Sequence, residues 1–218
     1  MRTIQVTGKG NIKVHPDSTR ITIRLIDGQE SYGETLVQSA ADTEKLRNLI
    51  TTIGFPKESL KTTSFDVEPQ YEYYDDEKGE RKSRFIGYEY THELKLEFMS
   101  DNEILGKILY ALANSVLAPE FRLSYFVQDV EAVKNTLISK AVADARRKAE
   151  VLTQAAGVEL KAVQYIDYSW KEIYWEREPM RDMCYEAIGS CAPGSLQLNI
   201  EPDDIKASDT VTVSWEIS

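Results

Sequence analysis

Few residues in this chain have the type and spacing that chemistry demands. Its only histidines, His15 and His92, lie far apart in the sequence. A nucleophilic or zinc site needs a histidine brought together with a nucleophile or further ligands. His15 precedes Pro16-Asp17 and reads as turn chemistry, while His92 falls among alternating apolar residues and reads as a core position. Gly8-Lys9-Gly10 starts like a phosphate loop, but position 13 is Lys13 where a dinucleotide fingerprint needs a third glycine, and no helix follows. The expected role is a bulge or bend between strands. Met180, Met183 and Cys184, followed by Cys191, gather soft sulfur ligands of the kind that suits Cu(I) or zinc, without a CxxC or HxxxH spacing. Cys184 and Cys191 are therefore candidates for a thiol-redox pair, a local disulfide or two inert thiols. No catalytic residue, metal ligand or cofactor is assigned.

Aromatic residues are the denser signal. Tyr165, Tyr168, Trp170, Tyr174 and Trp175 cluster in one segment, and Tyr71, Tyr73 and Tyr88 in another. Rings interleaved with cations can stack on single-stranded nucleic acid. Here Asp167, Glu172 and Glu176 match Lys171 and Arg177, so an interface or core role is expected, with Tyr71, Tyr73, Tyr88, Trp170 and Trp175 as interface candidates. The acidic run Asp75-Asp76-Glu77 follows no Ca²⁺-loop pattern and reads as a solvated tip.

The whole composition agrees. The 218 residues carry 26 Lys plus Arg against 36 Asp plus Glu, a net charge of −10, which opposes a broad phosphate-binding surface. At 42% hydrophobic residues the chain is ordinary for a globular protein. No run approaches the roughly 18 apolar residues of a membrane-spanning helix. The opening Met1-Arg2-Thr3-Ile4-Gln5-Val6-Thr7 alternates like a strand and lacks the apolar stretch of a signal peptide. For the sequence as written, the expectation is a cytosolic protein with free thiols and no small-molecule ligand.

The elements that must position these residues are legible from periodicity. Ile86, Tyr88, Tyr90, His92, Leu94, Leu96 and Phe98 alternate with polar neighbours, as do Val211, Val213, Trp215 and Ile217, and Ile21, Ile23 and Leu25. Such one-sided strands belong to antiparallel sheets. Shorter strands are predicted at 61–68, 121–127, 161–167 and 196–200. Helices are predicted over 33–53, ending at Gly54, and over about 131–156, ending at Gly157, with another opened by a capping box of Ser100 and Glu103. Ala141, Ala145 and Ala149 let the longest helix lie close on a sheet. The order, ββαββαβα and further strands, predicts an α+β fold: antiparallel sheet(s) with helices packed on one face. Within one domain of residues 1–218 it includes a long projecting β-hairpin at 65–98 and a loop-rich insert at 168–195.

The hairpin has a predicted register. A turn at Lys78-Gly79 sets Asp76 against Arg81, Asp75 against Lys82, Tyr71 against Ile86, Val67 against Tyr90 and Phe65 against His92. A projecting two-stranded ribbon is marginal alone, so packing on another subunit is expected to steady it.

Motifs along almost the whole chain resemble the SIMPL-domain family, a bacterial family of unknown function. They are Ile4-x-Val6-x-Gly8-x-Gly10 with Pro16-Asp17, Gly54, Pro69-Gln70-Tyr71-Glu72-Tyr73, and Gly87-Tyr88. Ala141, Ala145, Lys148-Ala149 and Gly157, then Ile200-Glu201-Pro202 and Val211-x-Val213, complete the set. The resemblance implies an α+β fold and a tendency to form larger oligomers. It also implies that many members are exported to the cell envelope, with a loose link to stress tolerance. No catalytic residues are established for the family, and the 168–195 insert matches none of its patterns. The combined expectation is a non-enzymatic, homo-oligomeric assembly or scaffold. The alternative is a small-ligand, metal or thiol-redox module built on 179–191.

Overall fold

The computed structural model describes residues 2–75, 79–168 and 200–218, together with the backbone of 174–176. Its elements are β1 (Arg2–Val14), β2 (Ser18–Gln29), α1 (Tyr32–Ile53), β3 (Leu60–Asp75), β4 (Arg81–Met99) and α2 (Asn102–Ala113). They continue as β5 (Glu120–Phe126), α3 (Val130–Ala156), β6 (Leu160–Asp167), β7 (Tyr174–Glu176) and β8 (Ile205–Ile217). All strand pairings are antiparallel and form two sheets, an α+β architecture. The described residues divide into two compact units, one built from β1, α3, β6, β7 and β8 and the other from β2, α1, β3, β4, α2 and β5.

In the first unit β1 and β8 pair without a break from Arg2–Ile217 to Val14–Ile205, and β6 and β7 pair with β8. Val6, Val211, Val213 and Trp215 face Ala141, Ala145 and Ala149 of α3 in the core. The expected bulge at Gly8-Lys9-Gly10 is corrected here, since the strand runs straight through it. The glycines serve close approach instead. A Cβ on Gly8 would stand 2.0 Å from the Ala141 carbonyl oxygen and 2.4 Å from the Ala145 nitrogen, and one on Gly10 would stand 2.2 Å from the Leu137 oxygen. Glycine on the strand and alanine on the helix together bring the two backbones into contact. Asp144 of α3 accepts from the Lys9 backbone N–H at 3.0 Å, and Lys148 donates to the Thr7 carbonyl at 3.2 Å. The helix thereby satisfies two backbone groups on the open edge of β1, which blunts that edge against further strand pairing.

The second unit has the strand order β3-β4-β2-β5. Ile21, Ile23, Leu25, Leu94 and Leu96 turn one face toward Leu46 and Ile50 of α1 and Leu105, Ile108 and Leu112 of α2. The other face carries charges, with Arg20 on Glu97 at 2.6 Å and Arg24 on Glu120 at 3.2 Å. Helix α1 opens on a capping box in which Ser31 accepts from the Glu34 N–H at 3.3 Å, and it closes on left-handed Gly54. The expected cap of α2 is displaced by one residue. Asp101 accepts from Glu103 and Ile104 N–H at 2.8 and 3.1 Å, while the Ser100 hydroxyl meets that of Thr19 at 2.9 Å. A carboxylate one position nearer the first helical amides outcompetes the hydroxyl.

Candidate functional site: the hairpin arm and the polar layer at its base

Strands β3 and β4 form a hairpin that continues past β2, whose pairing with β4 stops at Gln29–Tyr88. Phe65 faces His92 and Val67 faces Tyr90, as the sequence predicts. Nearer the tip Tyr71 faces Phe85, not Ile86, and Asp75 faces Arg81, not Lys82. The cause is a bulge between Gln70 and Tyr71, opposite which Ile86 has no partner and Gly87 takes a φ of 145°. A Cβ at Gly87 would stand 2.5 Å from the Gln29 carbonyl oxygen, so only glycine fits this bend. Asp76 and Lys78 of the predicted turn lie outside the described residues.

The extra residue switches which alternate side chains share a face. Even positions point to the core up to Tyr88, and odd positions carry the apolar face beyond it. A chain of ring contacts follows: Tyr32 with Tyr88 at 5.4 Å, Tyr88 with Phe85 at 5.2 Å, and Phe85 with Tyr71 at 5.8 Å between centroids. Arg81 then covers Tyr73 at 5.1 Å. Tyr71, Tyr73 and Phe85 remain 49%, 64% and 45% exposed, and Tyr32 at the start of α1 is 50% exposed. This stripe is the continuation of the core face beyond the end of the helix that covers it. Tyr71, Tyr73 and Tyr88 were readable as interface candidates. Phe85 and Arg81 were not, because the parity switch at Gly87 breaks the alternation that would reveal them, and Tyr32 was not because it lies on α1, away from the hairpin pattern.

Under the first half of α1 the stripe gives way to a buried polar layer. Asp42 accepts from the Tyr90 hydroxyl at 2.8 Å, from Gln38 at 2.9 Å and from Lys45 at 2.8 Å. Burial raises the Asp42 carboxyl, but these three donors together outweigh it and hold the group below its ordinary range. Burial, reinforced by the Asp42 carboxylate, holds the Tyr90 phenol well above its ordinary range. His92, 8% exposed, meets Thr43 of α1 through Nδ1 at 2.9 Å and Thr62 of β3 through Nε2 at 2.8 Å. The Thr43 hydroxyl donates to the Ser39 carbonyl at 2.7 Å, so it accepts from Nδ1–H and leaves Nε2 to accept from Thr62. His92 is thus a satisfied core residue, with burial and then Arg47 pushing its ring below the ordinary value. The other histidine, His15, stands exposed at 3.3 Å from Asp204.

The remaining candidates are placed as follows. Tyr165 is 60% exposed on β6, and Tyr168 donates to Asp209 at 2.9 Å. Trp170, Met180, Cys184 and Cys191 and the side chain of Trp175 lie outside the described residues. Among the described residues no cluster of three metal-ligating side chains occurs.

Fold and site together define a two-sheet α+β protein with an exposed aromatic stripe on its hairpin arm. The chain belongs to the SIMPL family, whose model, described as "Protein of unknown function (DUF541)", matches residues 4–215. It is 26% identical over 160 residues to the 26 kDa periplasmic immunogenic protein of Brucella abortus (strain S19), covering 73% of this chain and 64% of that protein. The same figures hold for the 26 kDa periplasmic immunogenic protein of Brucella melitensis biotype 1. The matched region thus spans less than two thirds of these relatives.

Proposed function

We propose that this protein is a non-enzymatic assembly unit whose copies associate through the aromatic face of the hairpin arm. The observation that carries the reading is the exposed stripe of Tyr32, Phe85, Tyr71 and Tyr73, an apolar face that outruns its own helix. Each ring offers on the order of 150–250 Å² in full, so four half-exposed rings on each of two copies bury roughly 800 Å². That is below the roughly 1,200 Å² of a standard specific interface. The arm alone therefore supports a weak association, which further contacts must complete in a stable oligomer. The periplasmic names of the two relatives support an envelope location over the cytosolic one first expected.

Light scattering coupled to size exclusion tests the assembly. A concentration-dependent oligomer is expected, shifted toward monomer in Tyr71→Ser/Phe85→Ser, which removes two exposed rings without entering the core. A monomer at millimolar concentration overturns the reading.

A further inference from the structure

We propose that His92 is an acid-sensitive latch, and that adding a proton to its ring releases the N-terminal half of α1 from the hairpin. That half-helix is held largely by polar contacts. Its buried residues are Thr35, Ser39, Asp42 and Thr43, whereas Leu46 and Ile50 anchor the second half in the apolar core. Three polar attachments fasten it to β4: Thr35 to the Tyr88 carbonyl at 3.3 Å, Asp42 to the Tyr90 hydroxyl at 2.8 Å and Thr43 to His92 at 2.9 Å. Of the three, His92 alone also hydrogen-bonds to a β3 side chain, Thr62 at 2.8 Å, so one imidazole ties three elements together.

A proton on this ring meets no compensating charge. The groups around it are Arg47 and Asp42 from α1, Tyr90 from its own strand with Asp27 beside that phenol, and neutral Thr62 and Phe65 from β3. Arg47 repels an imidazolium, and its own Nε is already buried without a hydrogen-bond partner. Asp42 is engaged by Lys45, Gln38 and Tyr90. The closed state therefore takes up a proton less readily than an opened state in which water solvates the ring. Below the ordinary histidine value of about 6.5 the opened state gains population, until the closed state is protonated as well. The Asp42 carboxyl, held below its ordinary range, stays ionised through that window. Opening would bare Tyr90 beside the already exposed ring of Phe65 and so lengthen the exposed stripe of the arm.

Hydrogen exchange tests the latch. With intrinsic exchange corrected, protection of α1 amides 35–46 is expected to fall several-fold between about pH 7.5 and about pH 5. The amides of α3, in the other unit, serve as the internal reference and should not respond. His92→Asn keeps a polar contact at Nδ1 but cannot titrate, and should abolish the dependence. His15→Asn, which removes the only other histidine, should leave it intact. Unchanged protection in the parent chain overturns the proposal, as does a response that survives His92→Asn or disappears in His15→Asn. Should His92→Asn fail to fold, NMR titration of the His92 ring in the parent chain decides: a midpoint at or above the ordinary value overturns it.

Discussion

At the scale of single residues, the chain separates glycines that are needed from those that are not. A methyl group on Gly8 would have to occupy space held by the α3 backbone at 2.0 Å, whereas one on Gly33, in the first turn of α1, meets nothing within 4 Å. Gly8→Ala should cost about 3 kcal/mol by forcing α3 off the sheet. Gly33→Ala should stabilise by about 0.5–1 kcal/mol through the unfolded chain. Urea denaturation of the two variants measures both, and equal effects would contradict the packing described. The Asp42–Tyr90 pair makes a similar contrast. Tyr90→Phe leaves Asp42 two other donors and should cost about 1 kcal/mol, while Asp42→Ala leaves a buried phenol with no acceptor and should cost about 2–3 kcal/mol. Because the folded state lowers the Asp42 carboxyl, the stability it contributes is complete above its unfolded value of 3.8 and is lost as pH falls through the folded one. Acid denaturation of the parent and of Asp42→Asn should differ in that range, with the variant showing the shallower decline.

At the scale of elements, the bulge at Gly87 sets the chemistry of the arm, because one unpaired residue decides which side chains share a face. Gly87→Ala combines a clash at 2.5 Å with a φ of 145° that a side chain rarely tolerates. It should cost about 1–3 kcal/mol, concentrated in the hairpin. Hydrogen exchange at 71–75 and 81–85 should rise well above that of β2, and an unchanged arm would contradict the role given to this glycine. On the open edge of β1, Asp144→Ala should speed exchange of the Lys9 amide, whose only described acceptor is that carboxylate. Most of the strands, the three helices and the inner hairpin register were legible because long runs of period 2 and period 3.6 dominate their sequences; the short β7 was not, and the strand expected at 196–200 falls, but for Ile200, outside the described residues. The outer register was not. A bulge exchanges one acceptable alternation for another, and Asp75 finds a basic partner in Arg81 as readily as in Lys82. The Gly8-x-Gly10 motif was visible, but its reason lies in residues 137–145, a packing relation that local sequence does not record. The polar partners of His92 were hidden likewise, since Thr43 and Thr62 look like ordinary surface threonines.

At the scale of the whole molecule, the net charge of −10 is spread over solvent faces and helix surfaces and forms no described metal cluster. Many of the acidic side chains are paired locally, as where Arg84 meets Glu72 at 2.6 Å and Lys107 meets Glu103 at 2.7 Å. Exposed pairs of this kind contribute little each, about 0.2–1 kcal/mol. Raising salt should therefore leave the unfolding midpoint nearly unchanged, while association through rings should hold or strengthen. A salt titration followed in parallel by denaturation and by light scattering separates the two. Dissociation of the oligomer by moderate salt would point to a charged interface in place of the aromatic one.

The pairing of β1 with β8 joins residues 2–14 to residues 205–217. Translation at about 5–20 residues per second leaves the first strand without its partner for roughly 10–40 s after it is made. During that interval β1 has only transient contacts, and its apolar residues Ile4, Val6 and Ile12 are available to holding factors. The second unit, whose four strands all lie within 17–126, can complete its sheet earlier. The finished fold thus records an order of birth: β1, made long before β8, is among the last strands to be secured, and synthesis of β8 is the event that locks it.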